Sequence, residues 1–403
     1  MLGGIPLAKR SQMVPTPLWL SDVVNWDGNS PDIDQLLATA FGAKDYLESI
    51  KDLEGRGIEP PTYINTLDKA FDILPVDSDM QRRCLRALRK TCGLYGILPD
   101  SYEVTYPLSR LPDQRPFVHG EFFDVWRMID KTSEKAYAVK SLRVYEADPI
   151  EKITKEYCKE VIVCKRMRHE NVLSIEGVAS NIFEFCMVSQ WMNSGNILDY
   201  LKINPECNRL ELLIGVARGL DYLHRNEVVH RNLKSANILI DEGGIPRLSD
   251  FGLSSITKNI ETVNTPTPNS GVTYRYCAPE LFETGEASKV ENKKATNKSD
   301  IYSYSMVVVE LVTGSVPFPD STDYSVIHMV TKGKRPPEPR LFDAPGASTE
   351  VWKIAKKCWH GQADKRPEAV EVLQYLGNIL NTGFADGGSG RPSWMQKVRE
   401  IFE

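Results

Sequence analysis

The chain has 403 residues, 41% of them hydrophobic and 26% charged, with a net charge of −5; this is the make-up of a soluble globular protein of about two or three domains. No basic excess points to nucleic acid, and no apolar run approaches the ~18 residues of a membrane span. The eight Cys are scattered without a C-x-x-C pair, which argues against a disulfide framework or zinc site and for free thiols in a cytoplasmic or nuclear setting.

Residues 1–30 are rich in Pro, Gly, Asn and Ser and are predicted to form a loose arm. The opening, MLGGIPLAKRSQ, does not read as a secretory signal. Over 31–53 apolar residues recur at helical spacing, and Pro60-Pro61 is predicted to break that pattern. A second helix is expected over 63–74, with Ile64, Leu67, Phe71 and Leu74 on one face and Pro75 ending it. Asp77 or Ser78 could cap a third, whose apolar face is Met80, Cys84, Leu85, Leu88 and Cys92, and Gly93 or Gly96 would stop it. Residues 31–98 thus read as a small helical module. Its Arg82, Arg83, Arg86, Arg89 and Lys90 could meet an acidic partner or a membrane surface, or form a solvated face. Residues 99–115, with three prolines, read as a connector.

The texture then changes. Residues 117–126 look like two strands joined by a tight turn, and 137–140 like a strand with Ala138 and Lys140 on one face. A helix is expected over about 150–167, carrying Glu160. Leu213, Val216, Ala217, Leu220 and Leu223 form a helical stripe, and 300–311 is apolar nearly all round, as in a helix at a domain centre. A last helix carries Ala369, Val372, Leu373, Leu376, Ile379 and Leu380; 382–391 is a Gly-rich linker, and 392–403 could form a short amphipathic turn.

One polar loop lies between two apolar runs: His230-Arg231-Asn232-Leu233-Lys234-Ser235-Ala236-Asn237, followed at a distance by Asp250-Phe251-Gly252. Together these resemble the catalytic loop and metal-binding triplet of protein kinases, H-R-D-L-K-x-x-N and D-F-G, with Asn232 in the place of the Asp. Lys140 resembles the A-x-K lysine, Glu160 its helix partner, and Ala278-Pro279-Glu280, Asp300 and Arg366 the later family positions, all in family order. The resemblance covers 116–381, about two thirds of the chain, with 382–403 a tail. Lys234 resembles Ser/Thr-type rather than Tyr-type kinases, and the Cys358-Trp359 pair is similar to the tyrosine-kinase-like branch of Ser/Thr kinases.

The resemblance implies an α+β, bilobal protein kinase fold, with a small β-rich N-lobe and a larger helical C-lobe, preceded by the helical module. It implies ATP and Mg as cofactors and a protein substrate or signalling partner. Asp250 and Asn237 would hold metal. Gly120, Ala138, Lys140, Glu160, Met192 and Leu239 would serve the nucleotide, with Glu160 the partner of Lys140. Arg231, Asn232 and Lys234 would stand in the catalytic loop. Glu280 and Arg366 would form a buried ion pair.

Two departures matter. Of the glycine-rich loop only Gly120 survives, with Val118 and Phe123 where backbone would otherwise approach phosphates unhindered. Asn232 can accept a hydrogen bond but cannot take a proton near neutral pH. Three readings follow: a kinase-like protein that binds ATP and Mg but transfers phosphate weakly or not at all, a Ser/Thr kinase that tolerates Asn232, or an interaction scaffold that binds no nucleotide. Thr265-Pro266 and Thr267-Pro268 could be phosphorylated, with Arg231 pairing the added phosphate, or belong to an ordinary loop.

Overall fold

The computed structural model describes residues 50–105, 107–109, 115–120, 122–145, 148–252, 274–282, 295–340 and 344–383. The predicted arm, most of the helix expected over 31–53, the Thr-Pro segment and the C-terminal tail lie outside the described residues.

The chain divides into two compact units, Met1–Glu103 with Ile150–Val163, and Val104–Pro149 with Cys164–Glu403. In the first, helix α1 spans Pro60–Ile73 and α2 spans Asp79–Tyr95. Pro60 and Pro61 stand at the start of α1, because the first helical positions need no N–H donor and a proline φ suits them. Ser78 caps α2 by accepting from Gln81 N, and Gly96 ends it in the left-handed conformation at φ 68°. Ile64, Leu67, Leu85 and Leu88 are buried, and Cys84 Sγ donates to Leu67 O across the helix pair. Helix α3 spans Ile150–Arg166. Gly93 lets α2 approach it, for a Cβ there would lie 2.3 Å from Lys159 Cε.

The second unit holds a five-stranded sheet of β1 (Leu108–Ser109), β2 (Val118–His119), β3 (Phe123–Asp130), β4 (Ala136–Leu142) and β5 (Cys186–Gln190). The path is β1-β3-β4-β5 with β2 also on β3, all antiparallel. The residues read as a connector thus supply an edge strand. Trp126, Met128, Tyr137, Val139, Cys186 and Val188 bury one face of the sheet. Val125 and Lys140, paired across β3 and β4, lie on the other.

The rest is mostly helical. Helices α4 (Ile197–Ile203) and α5 (Arg209–Arg225) precede a short hairpin of β6 (Ile238–Ile240) and β7 (Pro246–Leu248). Then come α6 (Asn297–Thr313), α7 (Asp323–Thr331), α8 (Thr349–Cys358) and α9 (Ala369–Gly383). The predicted stripe of α5 is buried from Leu213 to Leu223, and α9 packs along it. Helix α6 is buried on nearly every side, starts at a Thr296–Ser299 capping box and ends at Gly314. Arg366 meets Glu280 with two parallel bonds of 2.7 Å, the expected ion pair.

Candidate functional site

The polar loop between α5 and β6 is held from below by one carboxylate. Asp300, on α6 and 1% exposed, accepts from His230 N at 2.7 Å and Arg231 N at 2.9 Å, and lies 3.0 Å from His224 Nε2. Backbone N–H groups that the loop's shape leaves without a ladder partner thus find a charged acceptor. Arg231 has φ 69° and Asp250 φ 63°, backbone that few non-glycine residues adopt. Such strain persists where surrounding bonds over-determine it, and it clusters at functional sites.

The next turn brings the predicted donors together. Asn237 gives its side-chain NH₂ to Asn232 O at 2.8 Å, which leaves its Oδ1 as the end of the amide able to meet a cation. Ser249 N and Oγ both donate to Asn237 O, at 2.9 and 3.0 Å, and so fix the residue before Asp250 beside that asparagine. Gly252 N donates to His230 O, and Cys164 Sγ to Phe251 O at 3.7 Å. The Phe251 ring packs edge-on to His230, with centroids 6.2 Å apart.

Lys140 reaches this corner from β4, its Nζ 2.7 Å from Asp250 Oδ1. Burial by itself raises the Asp250 carboxyl, but the Lys140 ammonium outweighs it and holds the group below the usual carboxylate value, so it is ionised at neutral pH. Burial pulls the Lys234 ammonium below its usual value, with the Asp250 charge opposing and Lys140 adding to the shift. The same desolvation holds His230 neutral.

The remaining predicted positions lie on other elements. Gly120 makes the β2–β3 turn, its N donating to Phe123 O at 3.0 Å; a Cβ there would lie 2.5 Å from that oxygen, so the turn needs glycine. Ala138 sits two residues before Lys140 on the same face, opposite Ser189 of β5. Met192 is buried, and its carbonyl takes Gly195 N. Leu239 is half-buried between the buried Ile238 and Ile240. Glu160 is 1% exposed and pairs with Arg89 of α2, Nη2 to Oε1 3.0 Å, inside the first unit.

Three features escaped the sequence reading. The Asp300 clamp joins residues 70 positions apart, and spacing does not announce it. The Arg89–Glu160 pair was hidden among five similar cations. The third was accessible: alternation along paired strands sets Phe123 on the Lys140 face, and its ring centroid lies 4.5 Å from the Lys140 ammonium.

The family model described as protein tyrosine and serine/threonine kinase matches residues 114–376. Serine/threonine-protein kinase STY46 of Arabidopsis thaliana is 28% identical over 299 residues, 73% of this chain and 48% of that protein. Serine/threonine/tyrosine-protein kinase HT1 of the same plant is 29% identical, covering 68% of this chain and 67% of HT1. Tyrosine-protein kinase SRK3 of Spongilla lacustris is 29% identical, covering 77% of this chain and 86% of its own. The chain therefore spans about half the length of STY46 and most of SRK3. By a match over well more than half its length, this chain belongs to the protein tyrosine and serine/threonine kinase family.

Proposed function

We infer that this chain binds ATP with magnesium and works in signalling, with phosphate transfer to protein Ser/Thr hydroxyls weakened or lost. The observation that carries the reading is an assembled charge site, Lys140 2.7 Å from Asp250, next to a loop whose proton-accepting position is the amide Asn232.

Asp250 and Asn237 offer hard oxygen donors, the kind magnesium takes together with substrate phosphates. Bound magnesium would neutralise charge on the phosphates and keep them aligned. Lys140 would hold the inner phosphates, and Lys234 would face the transferred one. Gly120, Ala138, Met192 and Leu239 would shape the nucleotide's berth. Asn232 would orient a substrate hydroxyl through its amide oxygen without taking the proton. General-base help is worth roughly 10²–10⁴-fold in rate, so its loss leaves slow transfer at most.

The test is a paired rate measurement with radiolabelled ATP and a generic protein substrate, using wild type, Asn232→Asp and Lys140→Met. We expect Asn232→Asp to exceed wild type by about 10²–10⁴-fold. A wild-type rate within about tenfold of Asn232→Asp, abolished by Lys140→Met, makes the chain a working kinase instead. Thermal shift with MgATP at millimolar concentration reports binding; no shift with wild type or Asn232→Asp removes the nucleotide from the account.

A further inference from the structure

The Lys140 ammonium has a second partner besides Asp250. The Phe123 ring lies across it, 4.5 Å from centroid to Nζ. The pairing of β3 with β4 explains why. Val125 is directly opposite Lys140 and Phe123 directly opposite Leu142, so Phe123 is the diagonal neighbour of Lys140 on the same face. A glycine at this position would place no side chain there. Phenylalanine places an aromatic face, and a cation is drawn to the negative face of a ring.

The backbone beneath the ring is pinned. Phe123 O accepts from Gly120 N at 3.0 Å, and Phe122 O accepts from Arg143 N at 2.8 Å. Asp124 is held by Arg143 through Nε at 3.1 Å and Nη2 at 2.7 Å, and His119 Nδ1 lies 2.8 Å from the same carboxylate. The hairpin therefore has little freedom to lift away as a whole. The ring can leave Lys140 by rotating about its own side-chain bonds, since it is only half-buried.

We propose that Phe123 is a built-in competitor for the Lys140 ammonium: its ring occupies the cation that nucleotide phosphates need, and it sets a low affinity for ATP. The proposal rests on Lys140 being the phosphate-binding lysine of the function inferred above. A phosphate that takes the side of Lys140 the ring covers must displace the ring, whereas the base and sugar of a nucleoside need not.

Binding of MgATP and of adenosine, measured by calorimetric titration on the full chain, separates the outcomes. The proteins are wild type, Phe123→Gly and Phe123→Leu; the last keeps strand-compatible bulk without the π face. We expect Phe123→Gly to bind MgATP between about threefold and thirtyfold more tightly than wild type, the span of a cation–π contact from exposed to desolvated settings. Phe123→Leu should tighten it by a smaller factor, and adenosine should stay within about twofold throughout. Unchanged or weaker MgATP binding in both variants, with wild type still binding, overturns the competitor role alone. Equal tightening of MgATP and adenosine also overturns it, because the ring then acts on the whole berth. No MgATP binding by any of the three overturns this role and the nucleotide reading together.

Discussion

Arg89 of α2 places its Nη2 3.0 Å from Glu160 Oε1 of α3, joining an N-terminal helix to the glutamate the family resemblance reserves for the nucleotide lysine. Lys140, for its part, meets Asp250 at 2.7 Å. The helical module thus contributes directly to the setting of Glu160, and one of its basic side chains is engaged within the chain. Arg83, on the same helix, pairs with Asp79 one turn away at 2.8 Å.

Replacing Arg89 tests how much that contact contributes. The carboxylate is 1% exposed and the guanidinium 35%, so the pair is weaker than a fully enclosed one but stronger than a surface pair. Arg89→Ala should lower stability by about 1–3 kcal/mol in denaturant unfolding. The double variant Arg89→Ala with Glu160→Gln should recover part of the loss, because the buried charge goes as well.

Asp300 should matter more. Asp300→Ala takes the acceptor from two backbone N–H groups and from the His224 contact at once. Each buried group left without a partner costs about 1–3 kcal/mol. Asp300→Asn keeps an acceptor oxygen and should fall between Ala and wild type when denaturant midpoints are compared.

The Glu280–Arg366 pair offers a cleaner measurement, since Arg366 also gives Nη1 to Lys298 O and Nε to His360 O. Its side chain is fully buried and that of Glu280 is 25% exposed. Glu280→Gln should cost about 3 kcal/mol by leaving the guanidinium charge without its counter-charge. A loss below about 0.5 kcal/mol would show that the carbonyls alone satisfy the arginine.

The β2–β3 hairpin carries an acid-sensitive anchor. Burial by itself raises the Asp124 carboxyl, but the hydrogen-bonded Arg143 guanidinium, joined by His119, holds it below its ordinary value. A carboxyl depressed in the folded state contributes stability in full above its unfolded value, near pH 3.9, and loses it as pH falls through the folded one. The melting temperature of wild type should therefore exceed that of Asp124→Asn at about pH 6, and the gap should close on acidification below about pH 4. A gap independent of pH would mean that Asp124 acts through packing and not charge.

Much of the local architecture was legible because it depends on neighbours in sequence. Of the alternatives cap chemistry offered at each end, Ser78 and Gly96 bound α2. The helix expected over about 150–167 runs Ile150–Arg166, and the buried stripe of α5 keeps the predicted period. Pro60-Pro61 both separates α1 from the residues before it and opens it, since the first helical positions need no N–H donor. Leu108–Ser109 were read as linker because two residues carry no alternation to detect.

The order of the motifs, from Lys140 through Asp250 to Arg366, was enough by itself to identify the family, since residue type and spacing are one-dimensional properties. Which carboxylate Lys140 meets, what Arg89 engages and where the Phe123 ring comes to rest were decided only by tertiary structure. Each depends on side chains converging from separate elements within a few ångströms, where Coulomb and aromatic attraction act and where sequence distance has no bearing.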